Sequence, residues 1–170
     1  PHRAEAALAA APAVTAPGVL RRAAVLRARV ARQTGRPDPA LLEHLAGVPE
    51  GIAPQKVDHA ILIELSRTVE PQRALALVRH VRREASASGI AGWALHALMR
   101  EVDLLVDIDP GHARTLAAEL AVHDAAVSAT DAYGPELPWT LARAAAAAGD
   151  VAAHRHWILR AQAGIAAMVA

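Results

Sequence analysis

The sequence predicts an all-α chain, an α-solenoid of about four antiparallel helix pairs. Three observations carry that expectation. Apolar residues recur at helical spacing along most of the 170 residues, and no run of β-branched residues alternates with polar ones. The breaks between those runs hold helix punctuation, with Asp-Pro starts and glycine stops. Ala40, Ala74, Ala113 and His154 occupy similar places early in the second helix of each pair, at spacings of 34, 39 and 41. A two-helix unit returning every roughly 34–40 residues is the mark of a solenoid.

Taken in order, the opening segment 1–16 reads as frayed, with a short helix near 3–11. It makes a poor secretory signal, because Pro12 and Thr15 interrupt its apolar run and no basic stretch of any length precedes it. A first full helix spans 17–34 and stops at Gly35. Asp38-Pro39 sets an N-cap before a proline at the first helical position, where its missing N–H costs nothing; the helix 39–46 follows and Gly47 stops it. Helices over 54–68 and 71–87 come next, the second closed by Ser88-Gly89. The helix 91–107 is apolar nearly all round, with His96, Arg100, Asp103 and Asp107 in one narrow stripe, so it should be the most buried. Asp109-Pro110 opens a helix over 110–129. The last two helices, 136–148 and 150–168, are separated by Gly149 with Asp150 as N-cap. The pairs 17–47, 54–88, 90–130 and 135–168 form a single helical-repeat domain over 1–170, read as a piece of a longer protein. Alanine, at 44 positions, suits such packing, since a side chain ending at Cβ lets helix axes approach to about 8 Å.

Composition closes off several classes of function. Without cysteine there is no disulfide, thiolate metal site or cysteine nucleophile. Trp93, Trp139, Trp157 and Tyr133 are too few aromatics for a stacking platform on single-stranded nucleic acid. No window holds the roughly eighteen consecutive apolar residues of a membrane span, so a cytoplasmic protein without membrane contact is expected. Serine stands only at 66, 86, 88 and 128, never in a nucleophile elbow, and Gly89 and Gly92 make neither a phosphate loop nor a dinucleotide fingerprint. Among the nine histidines, His154 and His156 point about 200° apart. His80 with Glu84 and Glu119 with His123 have the i,i+4 spacing of helical ligands, but no third ligand follows. No catalytic residue, metal or other cofactor is expected, and the chain reads as a non-enzyme. Seventeen arginines to one lysine, with so much alanine, look like GC-rich bacterial coding.

Charge is unevenly spread. Residues 1–36 carry seven arginines against Glu5, a balance of +6, whereas 101–136 hold eight acids against Arg114. On the helix 17–34, Arg21, Arg22, Arg29 and Arg32 fall within a sector of about 100°, and Arg36 continues it. Such a face could grip nucleic acid or another polyanion, although +1 overall and so few aromatics speak against nucleic acid. It could equally be solvated, or dock on the acidic 101–136 region of this chain or of another copy, head to tail. Glu101 falls amid Trp93, Ala97, Leu104, Leu105 and Ile108. There it is either an ion-pair partner for a neighbouring helix's arginine or a buried binding acid.

The stretch Leu141 to Asp150, followed by Trp157 and Ala161, resembles a tetratricopeptide repeat: leucine and small residues in the first helix, a glycine-acid turn, then an aromatic and an alanine. Leu62, Leu65, Ala74, Val78 and Val81 fit the same pattern more loosely, and 93–121 more loosely still. The resemblance spans 17–168 and is specific over the final third. It departs from the family at His154, where a small residue is usual, and in the longer spacings of 39 and 41. It implies a right-handed superhelix whose first helices line a concave face. Carried over, Lys56, His59, Ile63 and Arg67 would line that groove in one pair, and Glu136, Trp139 and Arg143 in the last, with inter-repeat core as the other reading of Trp139. The sequence has no asparagine, so the asparagine-lysine clamp of chaperone-tail-binding members is absent. Similar superhelical domains occur in multidomain bacterial transcriptional regulators and signalling ATPases. The resemblance therefore implies a non-catalytic interaction or sensor module, offering its groove to a peptide segment, partner domain or small effector. Polyanion binding through the arginine face is the alternative.

Overall fold

The computed structural model describes residues 17–47, 56–124 and 135–169. Most of these residues are helical, with no strand among them. The helices are α1 (Pro17–Gln33), α2 (Pro39–Gly47), α3 (Lys56–Leu65), α4 (Pro71–Ala87), α5 (Ala91–Ile108), α6 (Pro110–Ala121), α7 (Glu136–Ala147) and α8 (Val151–Val169). The expected helix near 3–11 lies outside the described residues, as does 125–129 of the expected helix 110–129, which in the structure already ends at Ala121 with Val122 as its C-cap. No described helix is long and apolar enough to cross a membrane.

The punctuation acts as local chemistry requires. Asp38, Asp109 and Asp150 each accept a backbone N–H three residues on, from Leu41, His112 and Ala153, at 3.0, 3.0 and 2.9 Å. Glu70 caps α4 in the same manner, taking the N–H groups of Gln72 and Arg73 ahead of Pro71 at N1. Gly35, Gly89 and Gly149 sit at φ of 76°, 67° and 72°. Around each, the following residue donates to a carbonyl five positions back: Arg36 to Ala31, Ile90 to Ala85 and Asp150 to Ala145. This is the Schellman closure, and it needs the left-handed conformation. Gly149→Ala keeps open space around its Cβ but forces that conformation on an L side chain. We expect it to cost about 1–2 kcal/mol, read as a lowered thermal midpoint. Gly47 behaves otherwise, closing α2 from inside the helix without a positive φ.

α3 stops at Leu65, three residues before the expected end. Ser66 Oγ donates to the Ile63 carbonyl at 2.7 Å and Thr68 Oγ1 to that of Leu65 at 2.9 Å, so hydroxyls satisfy the terminal carbonyls and the chain turns.

The described residues divide into two compact units between Trp93 and Ala94. In the first, α1 packs on α2 and α3, α2 on α3, and α3 on α4. Val25, Ala28, Leu42, Ile61 and Leu65 form a buried cluster, with Leu45, Ala60, Val69 and Leu77 against it. On α4, Ala74, Val78, Val81 and Ala85 make a fully buried stripe at alternating spacings of four and three. In the second unit α7 packs on both α6 and α8. Its buried side chains include Ala113, Leu116 and Leu120 of α6, and Leu137, Leu141, Ala142 and Ala144 of α7. Of the recurring positions, Ala74 and Ala113 are buried while Ala40 is exposed, because the nine-residue α2 turns Leu42 inward instead. His154 Nδ1 lies 2.9 Å from the Ala142 carbonyl, so a hydrogen bond holds the ring where a small residue was expected.

Candidate functional site

The arginine stripe of α1 meets carboxylates that its own helix does not reveal. Arg21 is buried and its guanidinium bonds to Asp58 on α3. Arg32 Nε donates to Glu64 Oε1 at 2.6 Å, and Arg29 Nε to Oε2 at 3.5 Å. Arg67 Nε, just past α3, stands 4.0 Å from that same Oε2. Glu64 is 1% exposed, and a carboxylate so buried holds its charge only beside cations. Three of the five stripe arginines, Arg21, Arg29 and Arg32, are therefore engaged with α3; Arg22 and Arg36 are exposed. Part of the anionic-partner face is thus used inside the first unit, with Asp58 and Glu64 as counter-charges. Neither acid stood out in sequence, since both interrupt the apolar run of α3. The available signal was the i,i+3 pair Glu64 and Arg67.

The groove residues of the first unit are differently placed. His59 and Ile63 are each 2% exposed, so neither lines a surface. The cause is the position of α3, which is packed against α1, α2 and α4 and has little face left for solvent. Arg67 belongs to the Glu64 cluster, and the side chain of Lys56 lies outside the described residues. The His59 ring leans on Trp93, with centroids 6.2 Å apart and planes tilted by 58°. Neither ring nitrogen has a hydrogen-bond partner among the described residues. Burial pushes the imidazole below its ordinary pKa, reinforced by His80 and opposed by Asp58 and Glu84.

The unfolded chain then takes up the His59 proton at a higher pH than the folded one. Stability from this group is complete above the unfolded value of about 6.5 and is lost as pH falls through it. We expect the urea midpoint of His59→Leu to decline less steeply than that of the parent between about pH 7 and pH 5. An equal decline would show that other groups carry the acid sensitivity.

In the second unit, Trp139 is 54% exposed, although its neighbours Leu137, Pro138, Thr140 and Leu141 are buried. Glu136, one turn earlier, is exposed. Arg143, one turn later, donates to Asp103 at 2.8 Å and to Asp107 at 3.5 Å; the Asp107 side chain is 78% exposed. On α5, Glu101 is buried, while His96, Arg100 and Asp103 are half-buried. The units also differ in charge: 13 basic residues against 8 acidic up to Trp93, a balance of +5, and 5 against 9 beyond it, a balance of −4. Among the described residues, no three histidine or acidic side chains are grouped to hold a metal ion.

The arrangement offers two surfaces with different chemistry, a cluster of half-exposed arginines and an exposed indole one helical turn from Glu136 and from Arg143, which bonds to Asp103 and Asp107. Compared with family models, curated proteins and solved structures, the chain matches none.

Proposed function

We propose that the chain is a tetratricopeptide-like superhelical interaction module, without catalytic activity, whose second unit docks a basic segment of a partner protein on the Trp139 face of α7. The order of packing supports the repeat architecture. α1 touches both α2 and α3, as the first helix of a stacked pair touches its own partner and the next first helix. Trp139 carries the docking assignment: a large aromatic kept 54% in water on a helix otherwise well buried has the character of an interface hot spot. Exposed carboxylates at Glu136 and Asp107, in a unit of balance −4, favour a cationic partner. A lysine or arginine laid on the indole adds cation–π attraction. A groove set by packed helices binds such a segment at reduced entropic cost. A place in a bacterial transcriptional regulator follows from the family resemblance alone. The polyanion alternative is the weaker reading, because Asp58 and Glu64 interrupt the arginine face.

Panning a displayed peptide library on the whole chain and on Trp139→Ala tests the assignment. The parent is expected to enrich basic sequences that the variant, with an unchanged thermal midpoint, does not. Enrichment of one set by both proteins would refute it.

A further inference from the structure

We propose that the cluster around Glu64 is a binding site for a doubly charged phosphoryl oxyanion. Three guanidinium groups, from Arg29, Arg32 and Arg67, converge on one carboxylate whose side chain is 2% exposed, leaving an excess of two positive charges at one point. All three reach Glu64 through Nε. Among the described residues, Glu64 is the one side chain that all three engage. The arginine side chains remain 43%, 30% and 28% exposed, so solvent reaches them while the acid beneath is sealed.

Each guanidinium is planar and has more than one edge. Engaging Nε leaves the Nη1 and Nη2 pair as a second fork, whose spacing matches two oxygens of a phosphoryl group. Glu64 is what keeps three like charges together, since without it their mutual repulsion would drive the side chains apart. α1, which bears Arg29 and Arg32, and α3, whose end is followed by Arg67 in the turn, share one core through Val25, Ala28, Ile61 and Leu65, so the donors are positioned before a ligand arrives.

The excess of two charges selects a dianion over a single carboxylate. Arg21 is held by Asp58, and Arg73 by Glu43 at 2.8 Å, so neither adds to the charge gathered at Glu64. Arg22 and Arg36 of the same face are exposed, and a site built at Glu64 is distinguished from them by its independence of those two arginines. The phosphoryl group could be inorganic phosphate or a phosphoserine on a protein segment. The site lies wholly in the first unit and does not depend on the role of Trp139.

Calorimetric titration of the whole chain tests this, with three probes: inorganic phosphate, a short phosphoserine peptide and its unphosphorylated counterpart. Both phosphorylated and free phosphoryl probes should bind the parent saturably at about 1:1, and the unphosphorylated peptide should not. Arg29→Gln with Arg67→Gln, which keeps the Glu64–Arg32 bond, should weaken phosphoryl binding about tenfold or more. Arg22→Gln with Arg36→Gln should change it less than about twofold. Arg67→Lys keeps charge and fold but loses the fork, and should weaken binding several-fold. Tighter binding of the peptide than of phosphate assigns the source to a protein segment; equal affinity assigns it to the free ion. Absence of saturable binding to the parent overturns the proposal. So does equal loss in the Arg22/Arg36 control, which would reduce the effect to diffuse charge.

Discussion

Glu64→Ala is expected to destabilise the first unit by about 2–3 kcal/mol. Removing one partner of a fully buried ion pair costs about 3–5 kcal/mol, because the remaining charge stays desolvated. Here the remaining charges are arginines with 28–43% of their side chains exposed, which can turn partly to water, so the lower figure applies. Loss of the acid also leaves three like charges facing one another. Chemical denaturation of Glu64→Ala, Arg32→Met and the double variant forms the informative cycle. The double variant should be less destabilised than the sum of the two, since Arg32 makes the shortest bond to Glu64, at 2.6 Å. Strict additivity would mean that the pair does not interact in solution.

Ile61→Ala should have the largest effect of any single truncation in that unit, about 3–4 kcal/mol. Ile61 is 0% exposed and belongs to the cluster with Val25, Ala28, Leu42 and Leu65. Val25 and Ala28 belong to α1 and Leu42 to α2, so the void left behind cannot close without moving one of those helices. The adjacent Leu62 is only half-buried, and Leu62→Ala should cost about half as much. Far-UV circular dichroism and tryptophan fluorescence should both be followed, since a chain of two compact units need not unfold in one step.

Most helix boundaries were legible because they are set locally. Asp38, Asp109 and Asp150 cap their helices, and Gly35, Gly89 and Gly149 adopt the left-handed conformation, through contacts within five residues. The apolar periodicity of 91–107 placed Glu101 on the inward side, where it is buried, but overstated the burial of α5: six of its 18 residues are buried, against six of 12 in α7. Gly47 shows the limit, since a glycine after an apolar run does not by itself require a positive φ.

The candidate site was less legible because it depends on which helices meet. A helical wheel sorts residues on one helix and is silent on what faces them. Lys56, His59 and Arg67 look like a polar side of α3, yet with α1, α2 and α4 packed around that helix, His59 turns inward to Trp93 and Arg67 to Glu64. Asp58 and Glu64 lie among Ile61, Ile63 and Leu65, and nothing on α3 alone marks them as the acids that the arginine stripe of α1 meets. The two sets of residues that sequence held apart, Arg29 and Arg32 on one side and Arg67 on the other, share a single carboxylate.

The docking role proposed for Trp139 is tested most directly by the three indole Nε1–H resonances in a nitrogen-proton correlation spectrum of the whole chain. The probe is a basic peptide selected on the parent protein. Trp139→Phe assigns one resonance by its absence. On titration with the peptide that resonance is expected to shift saturably, while those of Trp93 and Trp157 stay in place. Binding that shifts Trp93 or Trp157 and leaves Trp139 unmoved would contradict the assignment of the α7 face as the partner site.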